Sequence, residues 1–202
     1  MKDREIFSKI WTQPREVFNY ILENNYKKYM IVLLFLAGIV RTLDRASMRD
    51  YGDRYSLMVI LGMSILLGGL LGWISYYIYA ALIRWTGSWL DGQGDTDSIF
   101  RVMAYALLPN VLGLFLVAPQ ILVYGIEIFK SNGDITSAGV LGNIIFYTCL
   151  IAEIVLSIYT IVFIVIAISV VQKLSIGKSI LNLLLPIVII AIPIGLIVFL
   201  LK

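Results

Sequence analysis

The chain has 202 residues, a length that fits one domain, and 60% of them are hydrophobic against 14% charged, which inverts the balance of a soluble protein. The net charge of +3, with no dense Lys/Arg run, argues against nucleic acid as a partner, and the absence of histidine excludes histidine-based catalysis and the usual zinc sites. No cofactor is implied, and the single Cys149, inside an apolar run, has no intramolecular disulfide partner.

Residues 1–28 are charged throughout and lack the compact apolar stretch of a cleavable signal, so the first span is expected to stay as an anchor. Phe7, Ile10, Trp11, Val17, Phe18, Ile21 and Leu22 fall at helical spacing, with Arg4, Glu5, Lys9, Arg15, Glu16 and Glu23 between them. Pro14 suits the first turn of a second helical piece, preceded by Thr12 or Gln13 as cap. Two short amphipathic helices are expected, lying in the headgroups of the inner leaflet or docked on the protein's own loops.

About 20 apolar residues make one helical crossing of a bilayer. Tyr29 to Val40 is short and spans only if Lys27, Lys28 and Arg41 snorkel to the headgroups. Tyr55 to Ile83 carries no charge and exceeds one crossing. Val102 to Ile126 holds Pro109 and Pro119, which predicts a kinked third helix. From Ile135 to Gln172 the only charge is Glu153, and no Gly or Pro adjoins it, so one helix is expected to continue through it, starting between Ser137 and Leu141. The last span covers about Ile180 to Leu201, with Pro186 and Pro193 seven residues apart on nearly one face.

The fold class expected is therefore all-α and polytopic, with five transmembrane helices over residues 29–202 behind an N-terminal amphipathic interfacial segment, 1–28. Five spans put ten basic residues on the side of the N-terminus, the Arg84 to Arg101 loop and the Lys173 to Lys178 loop, and six on the other. The N-terminus is expected inside and the C-terminus outside.

Three stretches together carry a resemblance. They are Ile10-Trp11-Thr12-Gln13-Pro14-Arg15-Glu16-Val17-Phe18 before the first span, the Gly92 to Arg101 loop running into Ala104-Tyr105-Ala106-Leu107-Leu108-Pro109, and Leu174-Ser175-Ile176-Gly177-Lys178 before a final Pro-containing span. In their order and their places relative to the spans the chain resembles the Yip1-domain membrane proteins, particularly their compact bacterial members. The resemblance implies a five-helix bundle with a cytoplasmic N-terminus, in a bacterial cytoplasmic membrane. Eukaryotic relatives are linked to vesicle traffic and small GTPases, but they carry a long cytosolic N-terminal region and an Asp-Leu-Tyr-Gly-Pro-like motif that this chain lacks. Such a partner is not carried over.

Several residues invite a chemical reading. Ser64, Gly68 and Gly72 recur every four residues, a spacing that lets helix backbones approach closely. Packing within the bundle is expected, with a homo-oligomer interface as the alternative. Arg101 and Tyr105, four apart, face one way with Pro109 beyond them. Pro109-Asn110 is echoed by Pro119-Gln120, where each amide either repairs a kink or binds a polar solute. On an ideal helix the two pairs sit about 80° apart, which would keep them off one pathway. Glu153 is either a proton or cation site or a hydrated side chain near an interface. Asp91, Asp95 and Asp97 beside Gly92 and Gly94 lack the full calcium-loop pattern and are expected to be solvated.

The function expected is non-enzymatic, a membrane scaffold or partner-organising protein of the Yip1 type. It would associate through its small-residue face with a membrane-protein partner or a second copy, in contact with the lipid bilayer. The alternative is a small-solute or ion transporter or channel using Asn110, Gln120 and Glu153. An intramembrane enzyme ranks third, because the chain lacks histidine and shows no pair of membrane-depth carboxylates.

Overall fold

The structure, a computed structural model, describes residues 1–135 and 138–200, with side chains as far as Ile192. Ser137 as the earliest start of the fourth span, the side chain of Pro193, and the chain end at Leu201-Lys202 lie outside the described residues. All regular structure among the described residues is helical.

Two short helices open the chain, α1 (Asp3–Lys9) and α2 (Pro14–Glu23), with Gln13 as cap and Pro14 in the first turn. Next, α3 (Met30–Met48) continues through Arg41, Asp44 and Arg45, although the uncharged run ends at Val40. No Gly or Pro occurs between Ile39 and Tyr51, and Leu43 and Ala46 keep an apolar buried face, so charge alone does not end the helix. Residues Leu57–Leu90 form α4 (Leu57–Met63), a π-helical stretch (Ser64–Leu70), α5 (Leu71–Gly87) and a 3-10 turn. The loop expected from Arg84 to Arg101 is thus far shorter, because Arg84 lies in α5 and Arg101 in α6 (Thr96–Ala106).

The kinked third helix is observed as separate pieces. After α6 come α7 (Leu108–Leu112), with Pro109 in its first turn, and α8 (Leu114–Tyr124), with Pro119 inside. Gly113 makes the break, its amide bonding back only three residues to the Asn110 carbonyl at 2.9 Å. Then α9 (Gly139–Gln172) runs 34 residues straight through Glu153, and α10 (Ile176–Leu200) closes the described chain. Leu57–Leu90, Thr96–Phe129 and Gly139–Gln172 are each long and apolar enough to cross a membrane, and α10 adds a shorter apolar stretch, Ile176–Ile192.

The chain divides into two compact units, one of residues 1–28, 75–106 and 162–202, the other of 29–74 and 107–161. In the first, Ile6, Ile10, Val17, Phe18 and Ile21 of the N-terminal segment are buried. Trp11 tilts against Phe163 with ring centroids 5.5 Å apart, and Tyr26 against Tyr105 at 5.9 Å. Asp3 accepts from the Tyr26 hydroxyl at 2.8 Å and pairs with Lys28. Of the two placements open from sequence, these contacts describe a segment docked on its own unit.

The same unit holds a buried polar cluster. Asn182 Nδ2 donates to the Ile83 carbonyl (2.9 Å) and to Thr86 Oγ1 (2.8 Å), and Gln172 Oε1 accepts from the Gly94 amide (2.8 Å). The Gln172 carbonyl accepts from Gln93 N at 3.1 Å, so one residue fastens both ends of that glycine-rich turn. A Cβ on Gly92 would lie 2.5 Å from Gln172 Oε1, which is why glycine stands there. Asp95 caps α6, its Oδ1 accepting from the Ser98 amide at 3.0 Å. Hydrogen bonds from the Ser98 side chain and then its amide hold the Asp95 carboxyl below the usual carboxylate range.

In the second unit, α3 meets the π-helical stretch almost backbone to backbone. A Cβ on Gly38 would collide with the Gly68 carbonyl, and one on Gly72 would sit 3.0 Å from Gly38 Cα. Thr42 Oγ1 donates to the Gly38 carbonyl at 3.0 Å beside this contact. Leu43, Ala46, Ile60 and Phe129 form a buried cluster below it, and Ser47 Oγ reaches the Ile128 carbonyl at 2.9 Å.

Two outcomes follow. Gly38→Ala should lower the melting temperature in detergent, with a loss of about 1–3 kcal/mol for forcing a methyl group against backbone; an unchanged melting curve would mean that α3 and the π-helical stretch do not pack as described. Asp95 is exposed, so Asp95→Ala should cost near the low end of about 0.5–2 kcal/mol. Because its shift is downward, the cap contributes above the ordinary carboxylate range and is lost as pH falls through the lower folded-state value. The variant should therefore show a shallower acid limb in a pH series of melting temperatures.

Candidate functional site

Polar residues of the second unit converge on one cavity. Its volume is about 350 Å³, and its lining includes Asp44 and Ser47 from α3, Asn110 from α7, and Glu153 and Ser157 from α9. Asp44 and Ser47 stand three apart, and Glu153 and Ser157 four apart, so each helix presents a carboxylate and a hydroxyl on one face. An adjoining cavity of about 360 Å³ shares Asp44, Ser47, Val117 and Glu153 and adds Gln120, Glu127 and Lys130.

Glu153 is half-buried and accepts a hydrogen bond from Gln120 Nε2 at 2.6 Å. Lys130 is engaged by Glu127 at 2.6 Å. Asp44 has no hydrogen bond or ion pair among the described residues and is open to the cavity. Two carboxylates facing one space repel each other, and away from bulk water each needs a proton or a countercharge. With an amide and two hydroxyls beside them, the lining is rich in acceptors and suits a cation or a hydrogen-bond-donating solute. Among the described residues no three His, Cys, Asp or Glu side chains stand together as a metal-ligand set.

The residues singled out from sequence distribute unequally. Asn110, Gln120 and Glu153 come together across the two adjoining cavities. The 80° separation of Asn110 and Gln120 assumes an unbroken helix, and the break at Gly113 removes that assumption. Gly68 and Gly72 lie against Gly38 of the same chain, and Pro109 is buried in the first turn of α7. Arg101 and Tyr105 are buried in the other unit, where Arg101 donates to Asn25 Oδ1 at 2.9 Å and its Nε has no hydrogen-bond partner among the described residues. Of the acidic loop, Asp91 pairs with Lys178 at 3.2 Å and Asp95 serves as the cap.

Asp44 and Ser47 were not visible from the uncharged-run criterion, which ended the first span at Val40, and Ser157, four residues after Glu153 within the fourth span, was not singled out. The signal was present in Val40, Asp44 and Ser47 at i, i+4 and i+7, a helical repeat that crosses the charged boundary. Asp44 puts a second carboxylate on the cavity that Glu153 lines.

Comparison with known families decides the relationship, since the Yip1 domain matches residues 8–198. The chain belongs to the Yip1 domain family. Comparisons with curated proteins and with solved structures return no match. For this Yip1-domain protein the match spans nearly the whole chain, from the end of α1 through α2 onward, and takes in both compact units.

If the cavity is wet, a thiol placed in it should react. In a Cys149→Ser background, Ser157→Cys should be modified by a small charged methanethiosulfonate about tenfold or more faster than Val155→Cys, because the reactive thiolate forms only where water reaches. Equal rates at the two positions would show that the cavity is not hydrated.

Proposed function

We propose that this Yip1-domain protein is a non-enzymatic, multi-pass membrane protein that takes a small cation, or a proton-rich polar solute, into the cavity of its second unit. The observation that supports the reading is the convergence of Asp44, Asn110 and Glu153 on one space, with Gln120 holding one Glu153 oxygen. Intramembrane carboxylates are expensive and mark ion or proton paths more often than packing. The interrupted α7 and α8 supply the kind of broken helix that places amides and free carbonyls at a solute site.

In this reading the membrane is crossed five times, with α3 and α10 completing the set. Its 19 residues give α3 a length of about 28 Å, one crossing. Residues 1–28 lie on the cytoplasmic side, the C-terminus lies outside, and the bacterial cytoplasmic membrane is the location; the Lys/Arg asymmetry supports this orientation.

A scaffold of the Yip1 type is the second reading, and family membership favours it. Its small-residue mechanism is weakened because Gly68 and Gly72 already pack on Gly38 within the chain. A scaffold would use another surface.

Reconstitution separates the two. Liposomes carrying the protein should pass protons, sodium or methylammonium above protein-free controls, and Glu153→Gln and Asn110→Leu should each lower that flux by about tenfold, the loss of roughly 1.4 kcal/mol of cation binding. Control-level flux for all three probes with monodisperse protein, together with a reproducible crosslinked partner in the native membrane, would replace transport by the scaffold reading.

A further inference from the structure

At the other unit's loop end lies a further polar cavity, of about 460 Å³, lined by Arg84, Trp85, Ser88, Gly92, Gln93 and Thr96 among others. We infer that it is a binding site for the headgroup of an anionic phospholipid. The inference is independent of the cation reading of the second unit.

Placement is the first support. Arg84 sits in the last turn of α5, near the end of the apolar run Leu57–Leu90, and Thr96 begins the apolar run Thr96–Phe129. The cavity therefore lies where two membrane-crossing stretches reach water. Trp85 and Trp89 stack edge to face with centroids 4.9 Å apart, and both are about half exposed. Indoles in that state, at the end of an apolar helix, belong at headgroup level. Toward the apolar side of α5, Tyr77 and Ile78 are exposed, a surface suited to an acyl chain.

Charge is the second support. Arg84 is the only ionisable residue in the lining, is exposed, and has no ion pair or hydrogen bond among the described residues. Of the neighbouring charges, Asp91 pairs with Lys178 and Asp95 is turned to the Ser98 amide, while Asp97 is exposed outside the lining. One unpaired guanidinium matches the single charge of a phosphodiester and bonds its oxygens in a fork. Gln93 and Thr96 offer donors and acceptors for a hydroxyl-bearing headgroup, and Ser88, whose hydrogen goes to the Trp85 carbonyl at 2.7 Å, remains an acceptor. A choline headgroup would bring a cation beside Arg84 and could donate nothing to these groups.

The site is also pre-shaped. The Gly92 and Gly94 amides donate to the Gly87 carbonyl and to Gln172 Oε1, both at about 2.9 Å or less, so the loop wall is held before any lipid arrives.

The test uses the full chain in a Trp11→Phe, Trp73→Phe background, which leaves Trp85 and Trp89 as the only indoles. Brominated phosphatidylglycerol should quench their fluorescence at an about fivefold lower mole fraction than brominated phosphatidylcholine, as expected for one basic residue at an anionic surface. Arg84→Gln should erase the difference, Arg84→Lys should keep part of it, and raising salt should shrink it in the unsubstituted protein. Ser88→Phe, which fills the cavity without removing charge, should also abolish it. Equal quenching by both lipids, or a preference that survives Arg84→Gln and Ser88→Phe, overturns the proposal. Reversal by millimolar glycerol phosphate also overturns it, in favour of a site for a free phosphate ester.

Discussion

Contact between the backbones of α3 and the π-helical stretch is the constraint on which the second unit rests. Lipid gives two helices no hydrophobic reason to associate, so close approach and dispersion must supply it, and only residues without a Cβ allow it here. Gly38, Gly68 and Gly72 meet this condition together. Their contact fixes where α3 sits, and α3 carries Asp44 and Ser47 into the cavity. A small-residue stripe that looks like an interface for another molecule is thus used up in building the site.

The first unit solves a different problem, how to bury polar side chains without leaving donors or acceptors unmatched. Gln172, Asn182 and Thr86 are all buried, and each satisfies backbone groups as well as one another. In a medium of low dielectric such a cluster holds only if its members are partnered, which gives it geometric specificity. Arg101 departs from this pattern, with a buried Nε that has no partner among the described residues beside its bond to Asn25.

Much of the helical layout was legible in the sequence, for reasons that differ by element. The continuity of α9 through Glu153 could be read because nothing near that residue reverses a chain. Pro14 announced the start of α2 through its missing amide hydrogen. The extent of α3 was hidden because counting uncharged residues treats the first arginine as a boundary, whereas a helix with one face on a polar cavity carries charged residues within its length. Gln120 and Asn110 were placed apart by an ideal screw that Gly113 interrupts. The partnership of Gln172 with Gly94, 78 residues away in sequence, has no local signal at all.

The turn at Gly92 to Gly94 has the composition of a flexible linker, and such a stretch would ordinarily be chosen for inserting an epitope or a fluorescent reporter. Here its amides are the ligands that Gln172 and Gly87 require. Added sequence at that point would leave the amide oxygen of a fully buried glutamine facing nothing, and the disturbance would reach Asn182 and Thr86 through their shared bonds. Reporters for this protein belong elsewhere, for example ahead of α1.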